Sequence, residues 1–206
     1  MINVTTVNTL FHKVGLTPSE PIRWGQPIPE IGNGVYVVSL SSNNSKNDGL
    51  LPTCEIKEEV FSKWRSLSPE LNINGKLTKQ VIELELNKYW RPKESILYIG
   101  ESTSKTNGLT KRVNQFYIHQ VGWKGPHTGG YWLKLLSNLE NLFVYYAVCK
   151  NPRDTEFKML MHFIEQTSGK SFYDLDELGK YLPFANLKVD FQKKHNISKA
   201  VSKKRI

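Results

Sequence analysis

Three short runs of β-branched and aromatic residues limit what this chain can fold into. Residues 35–40 follow the Asn33-Gly34 turn signal, residues 95–100 follow Pro92, and residues 143–149 lead into Asn151-Pro152. Each has the length, composition and flanking turn residues of a strand. Three such runs build only a small sheet, and the remaining apolar residues must come from helices that cover it. Helical spacing is expected over 5–14, 56–65, 78–89 (Val81, Ile82, Leu84, Leu86) and 109–120 (Leu109, Val113, Phe116). Short helices are expected at 131–139 and 174–181. A longer one runs to Thr167, capped by Asp154 or Thr155, with Phe157, Leu160, Met161 and Ile164 on one face and Gly169 as its stop. The fold class is α+β: a small three-stranded antiparallel sheet with helices on both sides.

A length of 206 residues suits one domain, and 39% hydrophobic residues suffice for a core. No apolar run approaches the roughly 20 residues needed to cross a bilayer. The start Met1-Ile2-Asn3-Val4 lacks the basic-then-apolar pattern of a secretory signal, so the expected location is intracellular and cytoplasmic. Cys54 and Cys149 form no CxxC pair and read as reduced packing residues. His119, His127, His162 and His195 form no HxH or HxxxH pair, which argues against a histidine metal site. The net charge of +9, from 28 Lys+Arg against 19 Asp+Glu, favours a polyanionic partner, nucleic acid being the commonest. Residues 1–31 form a proline-containing N-terminal extension, and the basic tail 191–206 reads as mobile and positively charged.

The residues with chemical potential occur in a definite order. Gly34-Val35-Tyr36 ends one turn and opens a strand, and Tyr98-Ile99-Gly100 closes the next. Leu109-Thr110-Lys111-Arg112-Val113 opens a helix, Glu156 stands at the head of a later one, and Asn186 follows it. Taken singly, each has an ordinary explanation: strand tyrosines, a solvated helix face, a first-turn acid favouring the helix dipole, a turn asparagine. Taken together, the order resembles the GIY-YIG nuclease superfamily, over residues 34–40 and about 96–187. Residues 1–33, 41–94 and 188–206 lie outside the resemblance, and 41–94 would form a helical lobe beside the sheet.

The resemblance implies a metal-dependent endonuclease that hydrolyses DNA phosphodiester bonds with Mg²⁺ or Mn²⁺. Glu156 would anchor the metal, with Glu165 as its competitor, because a hard carboxylate oxygen suits such a cation. Arg112 would hold the scissile phosphate with a permanently charged fork. Tyr36 and Tyr98 would converge from neighbouring strands, one helping to activate the water and the other orienting water or phosphate, and Asn186 would hydrogen-bond the site. Where many members have Tyr or His four residues after the arginine, this chain has Phe116; Tyr117 or His119 would replace that group. Lys105, Lys111 and Lys124 would contact DNA.

The size, the insertion and the basic ends point to a sequence-specific type II restriction enzyme of prokaryotic origin. Its partners would be double-stranded DNA, a second copy of the chain and a cognate methyltransferase, with no membrane. The alternatives are a structure-specific nuclease of repair or of a mobile element, and a catalytically inactive DNA-binding protein on the same fold.

Overall fold

The computed structural model describes residues 4–30, 32–67, 78–104, 106, 108–121, 130–189 and 192–193. Within them the fold is α+β, with five α-helices and a four-stranded antiparallel sheet. The strands are β1 (Ile22–Arg23), β2 (Gly34–Ser39), β3 (Ile96–Ser102) and β4 (Phe143–Val148), in the order β1-β4-β2-β3. All six residues of β2 are buried, as a central strand covered on both faces requires. The helices are α1 (Val7–His12), α2 (Glu58–Leu67), α3 (Lys79–Asn87), α4 (Gly108–Ile118) and α5 (Pro152–Ser168). No helix among the described residues is long and apolar enough to cross a membrane.

The pleat of β2 divides the core. Val35 and Val37 join Ile96, Ile99 and Tyr145 under α1 and α5, through Leu10, Phe11, Met159, Phe163 and Ile164. Tyr36 and Val38 face the other way, toward Leu109, Val113 and Phe116 of α4. Strand β3 breaks the alternation. Its register against β2 shifts by one residue between Val38 and Ser39, so Leu97 is an extra residue in β3. This bulge puts Leu97 and Tyr98 on the α4 side while Ile96 and Ile99 face α5.

Several expectations are corrected. The sheet has four strands rather than three, because Ile22 and Arg23 pair with Val144 and Phe143 just after Pro21. Arg23 anchors this short edge by donating to Glu140 O and Asn141 Oδ1. The 131–139 helix is two 3₁₀ turns, Tyr131–Leu135 and Leu139–Asn141. All five residues of the first turn are buried, which a one-sided α-helix cannot provide. The segment 174–181 likewise becomes 3₁₀ turns at Phe172–Asp174 and Leu178–Tyr181. Helix α5 starts earlier than Asp154: Asn151 is its cap and Pro152 its first residue, where a missing N–H costs nothing. Glu156 therefore lies in the second turn. Lys188–Val189 and Gln192–Lys193 form a small hairpin, and the rest of the basic tail lies outside the described residues.

The insertion 41–94 is not a lobe apart. Cys54, Ile56, Phe61, Trp64, Ile82, Leu86 and Trp90 share one apolar cluster with Tyr36, Val38 and Leu97. Ile56 bridges to Leu136, and Lys57 N donates to Leu135 O. The physical reason is the number of large apolar side chains in the insertion, which a helix pair alone could not shield from water. Replacing Ile82, which is 2% exposed, by alanine should cost about 2–5 kcal/mol of global stability. Urea unfolding followed by far-UV dichroism and by tryptophan fluorescence should give one coincident transition. A separate early transition for the insertion would contradict its place in the common core.

Candidate active site

Backbone geometry comes first. Tyr36 sits mid-strand in β2, in register with Gly100 of β3 on one side and Tyr146 of β4 on the other. A Cβ at Gly100 would lie 2.7 Å from Tyr36 Cζ, 2.8 Å from Tyr36 Oη and 2.6 Å from Tyr98 Cε1. Glycine is required there because two tyrosine rings occupy the space a side chain would need. At Gly34 a Cβ would come within 2.1 Å of Ala147 O, so this glycine is set by the close approach of β4. The Tyr36 and Tyr98 ring centroids are 5.8 Å apart, and the two hydroxyls share a hydrogen bond. Phe116 of α4 closes the aromatic group, 5.1 Å from Tyr98 and 6.4 Å from Tyr36. Gly130, with φ +67°, leaves room for the Phe116 and Tyr98 rings.

Charged groups from three elements converge on the pair. Burial, the neighbouring Tyr98 and the Glu156 carboxylate raise the Tyr36 hydroxyl well above its ordinary pKa, against the pull of Arg112. Burial raises Tyr98 as well, with Glu156 and Glu101 adding to it and Arg112 opposing. Glu156 is pushed up to about 7, first by burial and then by Glu101, against Arg112, Lys188 and Arg153. Tyr36, Tyr98, Arg112 and Glu156, picked out by their order in the sequence, thus form one electrostatically coupled group. None of Glu101, Arg112 and Glu156 has a salt bridge among the described residues.

Glu101 was missed in the sequence. It follows Gly100 on β3, and its Oε2 is buried without a hydrogen-bond partner. The available signal was its place at the end of the tyrosine strand, but an acid beside a turn has too many ordinary explanations to stand out. Glu101 and Arg112 line a cleft of about 380 Å³ with Lys111, Gln115 and residues 102–104. Among the described residues no group of three or more His, Cys, Asp or Glu could hold a metal. A divalent cation here would therefore have at most the two carboxylates, with water and ligand oxygens completing its shell.

The remaining candidates fall elsewhere. Both ends of the Asn186 amide are engaged: Oδ1 accepts from Ile99 N at 2.9 Å, and Nδ2 donates to Ile99 O at 2.8 Å. Because β3 is an edge strand, this pair replaces a missing neighbour strand between Tyr98 and Gly100. Asn186 is a positioning residue. Glu165 Oε1 accepts from Phe172 N and shapes the exit of α5, so it serves local structure. Tyr117 and His119 line a separate cavity with Lys134, and burial is the cause that raises the Tyr117 hydroxyl. Ring contacts run from Tyr98 through Phe116 and Trp24 to Tyr117. Lys111 is exposed at the cleft, whereas Lys105 and Lys124 lie outside the described residues. Both thiols are free, and burial pushes Cys54 up to about 12, so it is no nucleophile at neutral pH.

Two predictions follow from this geometry. Asn186→Ala leaves a buried N–H and C=O of Ile99 unpaired and should cost about 2–4 kcal/mol in denaturant unfolding. For Glu156, the native state holds its proton up to about pH 7 whereas the unfolded chain releases it near 4.5. The native state thus binds more protons in that window, and this group's contribution to stability falls as pH rises through it. Glu101→Gln removes a cause of the shift, so melting temperatures should rise relative to the parent at pH 8 and stay level at pH 4. Equal differences at both pH values would show that Glu101 does not act on Glu156. No protein-family model, curated protein or solved structure matches the chain.

Proposed function

We propose that this chain is a divalent-metal-dependent endonuclease that hydrolyses DNA phosphodiester bonds, on a fold of the GIY-YIG type. One observation carries the reading: Tyr36, Tyr98, Arg112 and Glu156, far apart in sequence, perturb one another in a single site at the β3 edge of the sheet. The net charge of +9 supports a polyanionic substrate.

The residues present fit a hard cation. Glu156 is held partly protonated near neutral pH by burial and by Glu101, and Glu101 Oε2 has no hydrogen-bond partner among the described residues. A cation shared by the two carboxylates would relieve both penalties, and oxygen ligands suit Mg²⁺ or Mn²⁺. When bound, such an ion lowers the pKa of a coordinated water and offsets phosphate charge. The chain's own groups do the rest. Arg112 offers a planar fork to two phosphate oxygens and adds charge where the transition state gathers it. The buried tyrosines stay neutral at physiological pH, because burial and the nearby carboxylates raise them, and only Arg112 and, at Tyr98, the mutual hydrogen bond oppose this. Their hydroxyls therefore orient a water or a phosphate oxygen by hydrogen bonding and do not act as tyrosinate bases. Asn186 keeps Tyr98 in place through Ile99.

The finer reading is a type II restriction enzyme acting on double-stranded DNA in the cytoplasm of a prokaryote, as a dimer and beside a cognate methyltransferase. A non-catalytic DNA-binding protein on the same fold is favoured by one observation: Phe116 puts an apolar ring, not a polar group, against Tyr36 and Tyr98.

Unmethylated plasmid and bacteriophage DNA incubated with the protein and Mg²⁺ should yield discrete fragments. EDTA or Glu156→Ala should abolish them, and Arg112→Ala should slow cleavage by about 10²–10³-fold. Cleavage confined to branched DNA would move the reading to a structure-specific nuclease. Binding with no cleavage of linear, supercoiled or branched DNA would establish the non-catalytic one.

A further inference from the structure

A second cavity, of about 550 Å³, lies between α2 and the C-terminal end of α4. Its most unusual wall residue is Lys134, only 7% exposed. The Lys134 ammonium lies 5.0 Å from the Trp24 ring centroid and 5.9 Å from that of Phe116, and it donates to Tyr117 O at 2.5 Å. No carboxylate pairs with it among the described residues, and two of its three N–H groups are left over. Burying a cation in this way is costly, and an apolar residue would fill the space more stably. Burial also pulls its pKa down to about 8, which leaves it mostly charged at neutral pH. Tyr117 lines the same cavity with its ring, while its hydroxyl has almost no accessible surface and, among the described residues, no hydrogen-bond partner.

The other walls divide by chemistry. Val60, Val121 and Leu139 are apolar, and Lys57 and Lys63 stand at the rim with Glu59. Lys57 pairs with Glu140 at 3.0 Å, and Lys63 donates to Gln120. The cavity thus offers a donor-only ammonium, apolar surface for the faces of a ring, and two lysines, one of them paired with Glu140, as positive charge for a phosphate. The volume falls in the range of small-molecule sites, roughly 300–1,000 Å³.

We propose that this cavity binds a guanine nucleotide, with the base inside against Lys134 and the phosphate toward Lys57 and Lys63. Guanine presents two acceptors, O6 and N7, on one edge, which suits a donor-only ammonium; adenine places an amino group beside N7 and would turn a donor toward the charge. The nucleotide can be free or can be an unpaired guanine of a nucleic-acid strand. Only the strand as source rests on the nuclease reading above.

Calorimetric titration of the full chain separates these cases. The probes are dGMP, dAMP, and a short single-stranded oligonucleotide with guanines or with adenines in their place. The guanine probe should bind at least tenfold more tightly than its adenine counterpart, equally to the parent and to Glu156→Gln. Lys134→Met should lose that preference while melting no lower than the parent, which a purely structural lysine would not do. Displacement of dGMP by the guanine oligonucleotide identifies the strand as a source, and its failure leaves the free nucleotide. If neither dGMP nor the oligonucleotide shows a guanine preference that depends on Lys134, the proposal is overturned. Because Glu156→Gln is tested for binding alone, absence of DNA cleavage does not bear on the result.

Discussion

The space left empty at Gly100 is the constraint on which the site depends. Tyr36 on β2 and Tyr98 on β3 can bring their hydroxyls together only if nothing projects from the residue between them in the pleat. The bulge at Leu97 turns Tyr98 to the same face as Tyr36, and the Asn186 amide holds the β3 edge straight at Ile99. Phe116 then packs against both rings, which sets the position of α4 and with it Arg112. Tight backbone approach at Gly34 locks β4 to the same frame. A change at any of these points moves several functional groups at once.

The electrostatics of the site oppose stability. Two tyrosine hydroxyls and the Glu156 carboxylate are buried, Glu101 raises Glu156 further, and Arg112 offsets this only in part. Elsewhere the chain pairs its charges at the surface, as in Lys57 with Glu140 and Lys158 with Asp154. Among the described residues, buried and incompletely compensated charge gathers where the tyrosines and Arg112 meet, and it recurs at Glu94 beside Arg91 and at Lys134. That pattern is common at sites where a bound cation or anion completes the charge balance.

Much of this was legible in the sequence, for identifiable reasons. Strands β2, β3 and β4 announced themselves through β-branched and aromatic runs bounded by turn residues, and α5 through its apolar spacing and Gly169. Strand β1 was hidden because two residues next to Pro21 carry no period, and the bulge because Ile96 to Ile99 are apolar on both sides. The 131–135 segment looked helical but is buried on every side, so composition could not tell a 3₁₀ turn from an α-helix. The insertion's role in the core depended on which apolar faces meet, and that is a property of the tertiary structure. In the site, Tyr36, Tyr98, Arg112 and Glu156 were legible as an order of motifs. Glu101 was not, since its significance comes only from the proximity of Glu156 on another element.

Phe116 gives α4 two working ends. On one side it buttresses the tyrosine pair, and on the other it meets Trp24 and the Lys134 ammonium. Arg112 and Tyr117 are five residues apart on this helix, about 7.5 Å along its axis at 1.5 Å per residue. At 3.6 residues per turn the two also point about 140° apart around the axis, so they serve different sides of the helix. An apolar ring at position 116 is then not a defect in a polar site. It stands between the buried ammonium of Lys134 on one side and the Tyr98 ring on the other, and so separates two differently built surroundings of the same helix.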